Sequence, residues 1–396
     1  MNGINDKGIS DLKVAIPIIG SEKWMGGITY IYYLANALSL LSKNQKPKIY
    51  LVFRDRQLAD LSLHEYMFGL FDGLIYVGTA RLDIPYKYTQ CENYDQLAKI
   101  TDVYYPVLSD ILENRVSISW IPDFQHKHLP YMFSKDEIKL RDQFFEKIAK
   151  HQGVVIFSSQ DALTDYNKFY PENSTLNKVM SFYLIPPGDW YEENEMILSN
   201  YEISKPYFIC SNQLWKHKDH LTLFQAVQKL KEEGLEVTCV LTGAIEDYRA
   251  PEHFKVLTEY IANNNLHTNI KVLGFIPRKE QIYLLRKSIA VIQPSLFEGW
   301  GTVLEDSRAL GKIVILSDIP IHREQKTEES LFFEPKNATN LAEKMKEVYM
   351  KKDIFDSTIK EAKALKQAEE NVKIFALNFS QIILDTYLYY KNKEMI

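Results

Sequence analysis

At 396 residues the chain is long enough for two domains, and its 46% hydrophobic and 25% charged residues lie near the globular average, which excludes disordered and fibrous classes. The formal net charge of -5 and pI near 6.0 supply no global basic field for nonspecific nucleic-acid binding. With no apolar run of about 18 residues and a polar stretch from Met1 to Asp11, neither a membrane span nor a secretory signal is expected, and a cytoplasmic location follows. Cys91, Cys210 and Cys239 are isolated and lack metal-ligand spacing, so they are expected as buried thiols.

In chain order, short β-rich apolar runs alternate with amphipathic segments of helical length, the pattern of parallel α/β layers. The first series opens with a strand over Lys13 to Ile19. A helix follows in which Ile31, Leu34, Ala37, Leu38 and Leu41 recur at helical spacing. Strands are then expected over Lys48 to Phe53, Gly73 to Val77, Val116 to Ile121, Val154 to Ser158 and Val179 to Ile185, with a helix over Lys135 to His151. Pro186-Pro187-Gly188 and the polar stretch to Ser204 break both periodicities.

A second series then begins, with strands over Tyr207 to Cys210, Val237 to Leu241, Ile270 to Leu273, Ile289 to Ile292, Ile313 to Leu316 and Leu331 to Phe333. After Asn337 the pattern is helical. The expected division is a first Rossmann-like domain over 1–186, a linker over 187–205, a second such domain over 206–370, and a helical end over 371–396 that packs back on the first.

Four segments carry chemistry. Phe297-Glu298-Gly299-Trp300-Gly301-Thr302 follows a predicted buried strand, at the end where open α/β sheets bind ligands. Gly299 and Gly301 permit a tight turn, and the helix they introduce offers N–H groups and a positive dipole end to a diphosphate. Glu298 would be repelled by phosphates, so it is expected to accept from sugar hydroxyls. On a helical wheel Val303, Leu304, Ser307 and Leu310 share one face. Glu305 falls almost opposite and is expected to face solvent, while Asp306, on the flank beside Thr302, is the preferred ligand. A glycine turn capped by nearby acids is the alternative.

The second segment, Ser211-Asn212-Gln213-Leu214-Trp215-Lys216-His217-Lys218-Asp219-His220, also follows a strand and gathers cations beside a helix start, which suits a leaving diphosphate. The third, Trp24-Met25-Gly26-Gly27-Ile28, joins the first strand to the first helix and lets backbone amides approach a ligand. It lacks GxGxxG, which counts against a dinucleotide site. The fourth, Trp120-Ile121-Pro122-Asp123-Phe124-Gln125-His126-Lys127-His128, brings acid, amide and imidazole groups to a strand end and is the acceptor-side candidate.

Phe297 through Asp306, continued by Ala309-Leu310-Gly311-Lys312, resembles the signature of the retaining, nucleotide-sugar-dependent GT-B glycosyltransferases of family 4, the glycogen-synthase-like group also termed glycosyl transferases group 1. The resemblance implies an α/β protein of two Rossmann-like, doubly wound domains facing across a cleft. It implies metal-independent, retaining transfer without a cofactor, from a UDP-, GDP- or dTDP-sugar to a glycan or lipid-linked acceptor. Polysaccharide synthesis at the inner face of the cell membrane, with peripheral association, is the setting it suggests.

The resemblance also assigns roles. The family's two glutamates fall at Glu298, near the donor sugar, and at Asp306, on the ribose and shortened by a methylene. Its phosphate-binding lysine falls at Lys218. Its arginine five residues earlier falls at Gln213, with Asn212 beside it. His126 would lie near the donor sugar, Asp123 or Gln125 near the acceptor, and Gly26 and Gly27 near the phosphates. Base contact would fall near Gly274 to Arg278. A nucleotide-sugar hydrolase, a phosphorylase or a non-enzymatic nucleotide-sugar sensor would use the same pocket.

Overall fold

Runs of Val, Ile, Leu and Phe only four to six residues long become parallel strands buried on both faces, the state that such continuous apolar runs require. The computed structural model describes residues 7–21, 25–108, 115–351 and 357–393. Among them the first sheet comprises β1 (Lys13–Pro17), β2 (Lys48–Phe53), β3 (Gly73–Val77), β4 (Thr89–Cys91), β5 (Val103–Val107), β6 (Ser117–Ile121), β7 (Val154–Phe157) and β8 (Leu176–Val179). Their order is β4-β3-β2-β1-β5-β6-β7-β8, parallel throughout. The second sheet comprises β9 (Phe208–Ser211), β10 (Cys239–Thr242), β11 (Ile270–Gly274), β12 (Ala290–Gln293), β13 (Val314–Ser317) and β14 (Ser330–Phe333). Its order is β11-β10-β9-β12-β13-β14, again all parallel.

Two compact units contain these sheets. One is Met1–Phe124, Lys135–Tyr183 and Glu370–Ile396; the other is Gln125–Ser134 and Leu184–Glu369. The second unit's core packs Phe208, Leu223, Phe224, Val227, Leu241, Ile292, Ile315 and Met345. In the first unit, Phe124, Phe145, Val155, Phe157 and Tyr166 form one cluster and Ala15, Val52, Ile75 and Leu97 another. The helix Ser357–Asn392 enters the first unit at Glu370. There Val372, Phe375, Phe379, Ile382, Ile383 and Tyr390 are buried at the three- and four-residue spacing of one helical face. Phe379 meets Tyr105 with ring centroids 5.6 Å apart, and Lys178 pairs with Asp385 at 3.1 Å.

Most expected strands stand within two residues of their predicted limits, but three elements differ. β8 occupies Leu176–Val179 rather than Val179 to Ile185. It pairs with β7 from Val154↔Leu176 to Phe157↔Val179, so the ladder ends where β7 ends. Met180, Phe182 and Leu184 are buried alternately beyond it, which imitates a strand in sequence. β4 and β5 were not expected: β4 has no apolar run, and β5 contains Pro106, a residue that cannot donate to a ladder.

Candidate active site

The second sheet reverses its winding between β9 and β12. The loops that leave the carboxyl ends of these two neighbours diverge, which opens the crevice where doubly wound sheets take ligands. After β9 the chain passes buried Leu214 into a 3-10 turn over Lys216–Lys218, and Asp219, at φ 54°, redirects it into the helix His220–Glu232. The Leu296 N–H donates to the His217 carbonyl at 2.8 Å and joins this loop to the one after β12. On that frame the Lys218 Nζ donates to both Glu298 oxygens, at 2.7 and 2.8 Å. The two side chains are 10% and 12% exposed.

Burial by itself raises the Glu298 carboxyl, and the Lys218 ammonium outweighs it, so the group lies below its ordinary range and is charged. A charge pair so enclosed leaves a costly lone ion when either partner is removed. Burial, seconded by Lys218, holds His217 down to about 3, a neutral imidazole at physiological pH. Asn212 is buried and donates through Nδ2 to Gln293 Oε1 at 2.8 Å, and Gln213 is half-buried. Gly243, at φ 134°, presses on the Asn212 peptide so closely that a Cβ would lie 2.1 Å from the carbonyl oxygen. All three cysteines are buried, and burial pushes the Cys210 thiol, under this loop, up to about 12, far from a nucleophilic thiolate.

The other wall is the helix Thr302–Ala309, for which Gly301 is the N-cap; Gly299, Trp300, Gly301 and Thr302 are half-buried. Gln325 grips the Gly301 peptide at both ends. Its Oε1 accepts from the Gly301 N–H at 2.9 Å and its Nε2 donates to the Gly301 carbonyl at 3.2 Å. The same Nε2 donates to Glu305 at 2.9 Å, and Arg308 lies 3.4 Å from the other Glu305 oxygen.

Glu305 is therefore enclosed, 2% exposed, and does not face solvent as the wheel implied. The wheel treats the helix as having one covered face, whereas the segment at Gln325, itself 1% exposed, covers the opposite one. Asp306 is fully buried. Its Oδ1 accepts from the Arg278 guanidinium at 2.6 Å. Arg278 was named from sequence only as the end of the base-contact stretch, and Gln325 was not singled out; neither was expected as a partner of these acids.

Gly26 and Gly27 lie inside the first turn of the helix Met25–Ser39, not in a loop ahead of it; Trp24, read with them, is outside the described residues. Asp123 is half-buried in the first unit. Gln125 and His126 open the short helix Gln125–His128, which groups with the second unit. Gln125 Oε1 accepts from Arg249 at 2.9 Å, and Arg249 lies over the rings of Phe133, Tyr248 and Trp215 at 4.7, 5.1 and 5.2 Å. His126 is 1% exposed, and the His128 ring meets Phe297 at 5.3 Å. Arg249 is a further partner that sequence spacing did not reveal.

No curated protein sequence matches the chain. Residues 197–371 match the model of the family described as Glycosyl transferases group 1. Over 95% of this chain and 99% of the other, the fold is similar to that of HepE from Anabaena, crystallised with UDP-glucose, at 16% identity and a TM-score of 0.64. A glycosyltransferase from Rickettsia africae is similar over 96% of this chain and 99% of its own, at 16% identity and a TM-score of 0.63. Sucrose-phosphate synthase from Thermosynechococcus elongatus is similar over 96% of this chain and 100% of its own, at 13% identity and a TM-score of 0.61. The two doubly wound units thus have the fold of GT-B glycosyltransferases. The match over residues 197–371 takes in the crevice at β9 and β12 and supports the group 1 glycosyltransferase superfamily.

Proposed function

We propose that the chain transfers a sugar from a nucleotide diphosphate sugar to a glycan or lipid-linked acceptor, with retention of configuration and without a metal ion or cofactor. The observation that carries this reading is the Lys218–Glu298 pair at the reversal point of the second sheet, beside the helix that starts at Thr302. An ammonium and a carboxylate side by side suit the two halves of a sugar diphosphate. As the bond from the anomeric carbon to the diphosphate oxygen breaks, charge grows on that oxygen. Lys218 and the N–H groups at the helix start stabilise it. Glu298 accepts from the sugar hydroxyls and, before the donor arrives, keeps Lys218 in position.

Around this centre Asn212, Gln213, Gly299, Trp300 and Thr302 line the donor, and Asp306 lies at its ribose end. Gly301 shapes the turn, since Gln325 takes its N–H. Gly26 and Gly27 offer a second helix start to the phosphates. His126 serves the sugar side, with Asp123 and Gln125 toward the acceptor. Because HepE was crystallised with UDP and with UDP-glucose, a UDP-sugar is the first donor to test, ahead of GDP- and dTDP-sugars. Among the described residues no helix is long and apolar enough to cross a membrane, and a lipid-linked acceptor would be met from the cytoplasmic face.

Lys218→Ala tests the assignment. At saturating donor its kcat is expected to fall on the order of 100-fold to 1,000-fold, the usual cost of losing one such stabilising group; transfer at the wild-type rate would overturn it. The anomeric configuration of the product, read by NMR, decides retention. Sugar or sugar phosphate released in place of the glycoside would point instead to a hydrolase or phosphorylase.

A further inference from the structure

Asp306 is one methylene shorter than the glutamate that the resemblance expects there, and the structure turns this carboxylate inward. Asp306 is fully buried, and its Oδ1 accepts from Arg278 Nη2 at 2.6 Å. Arg278 is the first residue of the helix Arg278–Lys287, just beyond β11. Besides Asp306, its guanidinium is fixed by Gln281 Oε1 at 3.0 Å and lies over the Trp190 ring, 5.2 Å from the centroid. Gln281 in turn donates to Ser211 Oγ at 2.6 Å, and Ser211 shares a 2.7 Å hydrogen bond with Thr242. This polar chain runs from the helix after β12, through the turn after β11, to the ends of β9 and β10. It therefore borders the crevice that holds Lys218 and Glu298. At this border the carboxylate is wholly covered while the arginine side chain is 44% exposed.

Resting on the donor reading above, we infer that Arg278 is a specificity-determining residue at the nucleoside end, where its guanidinium donates hydrogen bonds to the ribose 2′ and 3′ oxygens. Asp306 holds that guanidinium in place and does not itself read the sugar. A planar fork of N–H groups matches two neighbouring oxygens, as it matches the two oxygens of a carboxylate. Gln281 and Trp190 fix the orientation of the fork before the ligand arrives. A donor built on ribose keeps both contacts, and one built on 2′-deoxyribose loses one of them. The site therefore selects ribonucleotide donors, and the selection resides in Arg278.

Calorimetric titration with UDP and 2′-deoxy-UDP, and with GDP and 2′-deoxy-GDP as a second pair, tests this. The wild-type chain is expected to bind the ribo form of its preferred base about tenfold more tightly, the effect of one hydrogen bond to a charged group. In Arg278→Met the ribo form should weaken until the two forms agree within about twofold. Arg278→Gln, which keeps a polar group on the Asp306 side but lacks the charged fork, should show the same loss and serves if the methionine variant does not fold. An undiminished or enlarged preference in a folded variant would mean that Asp306 reads the ribose and would overturn the inference. Equal binding of both forms by the wild type would overturn it as well, with the donor reading intact. If the wild type binds none of the four diphosphates, the donor reading itself fails.

Discussion

Glu305 is enclosed beside Arg308, Asp306 and Gln325, and burial pushes its carboxyl from an ordinary 4.5 up to about 7, against the pull of Arg308 and the Gln325 amide. Between those two values the folded chain keeps a proton that the unfolded chain releases. The contribution to stability is therefore greatest below about pH 4.5 and declines as the pH rises through about 7. Urea unfolding at pH 5 and pH 8 should show the wild type losing more stability across that interval than Glu305→Gln; equal losses would refute this account. The meeting of Lys218 and Glu298 was legible in sequence as far as both follow apolar strands at the carboxyl end of one sheet. Glu305 was misread because a wheel knows only its own helix, and the residue that covers it lies 20 positions later.

At the scale of elements, glycine geometry separates backbone strain from collision. Gly234, at φ 79°, has nothing within 4 Å of a built Cβ, whereas Gly243, at φ 134°, would place one 2.1 Å from the Asn212 carbonyl oxygen. Gly234→Ala should cost about 1 kcal/mol through the left-handed backbone alone. Gly243→Ala should cost more than about 2 kcal/mol and weaken nucleotide binding, because the Asn212 peptide must move. Thermal unfolding of the two variants checks the ranking, and a Gly243→Ala chain as stable as Gly234→Ala would contradict it. Strands with continuous Val and Ile were legible because burial on both faces demands such runs. β4 and β5 were not, since their place depends on hydrogen bonds to β3 and β1 that local composition does not encode. The same holds for the Arg278–Asp306 contact, whose partners stand 28 residues apart.

At the scale of the whole molecule, two series of alternating strands and helices announced two sheets, because each parallel strand needs a crossover of helical length. The way the chain is shared between units was less visible, since it depends on long-range packing. Phe379, fully buried and against Tyr105, tests the share that the final helix gives to the first unit. Phe379→Ala should remove about 3 to 5 kcal/mol from that unit, and hydrogen exchange should show the loss in the amides of β5 and β6 and not in β9 to β13. An even loss across both sheets would show that the units do not unfold separately.

The chain passes between the units at 124/125, 134/135, 183/184 and 369/370, and this ordering bears on synthesis. Everything that the second unit needs has emerged from the ribosome once Glu369 is out. The first unit, though begun earlier, still lacks the helical face that carries Val372 to Tyr390. At a translation rate of about 5 to 20 residues per second, the stretch from Leu184 to Glu369 keeps the earlier unit waiting for roughly ten to forty seconds. The unit started second can thus be finished first, and the nascent first sheet must stay shielded from neighbouring chains until the last helix closes over it.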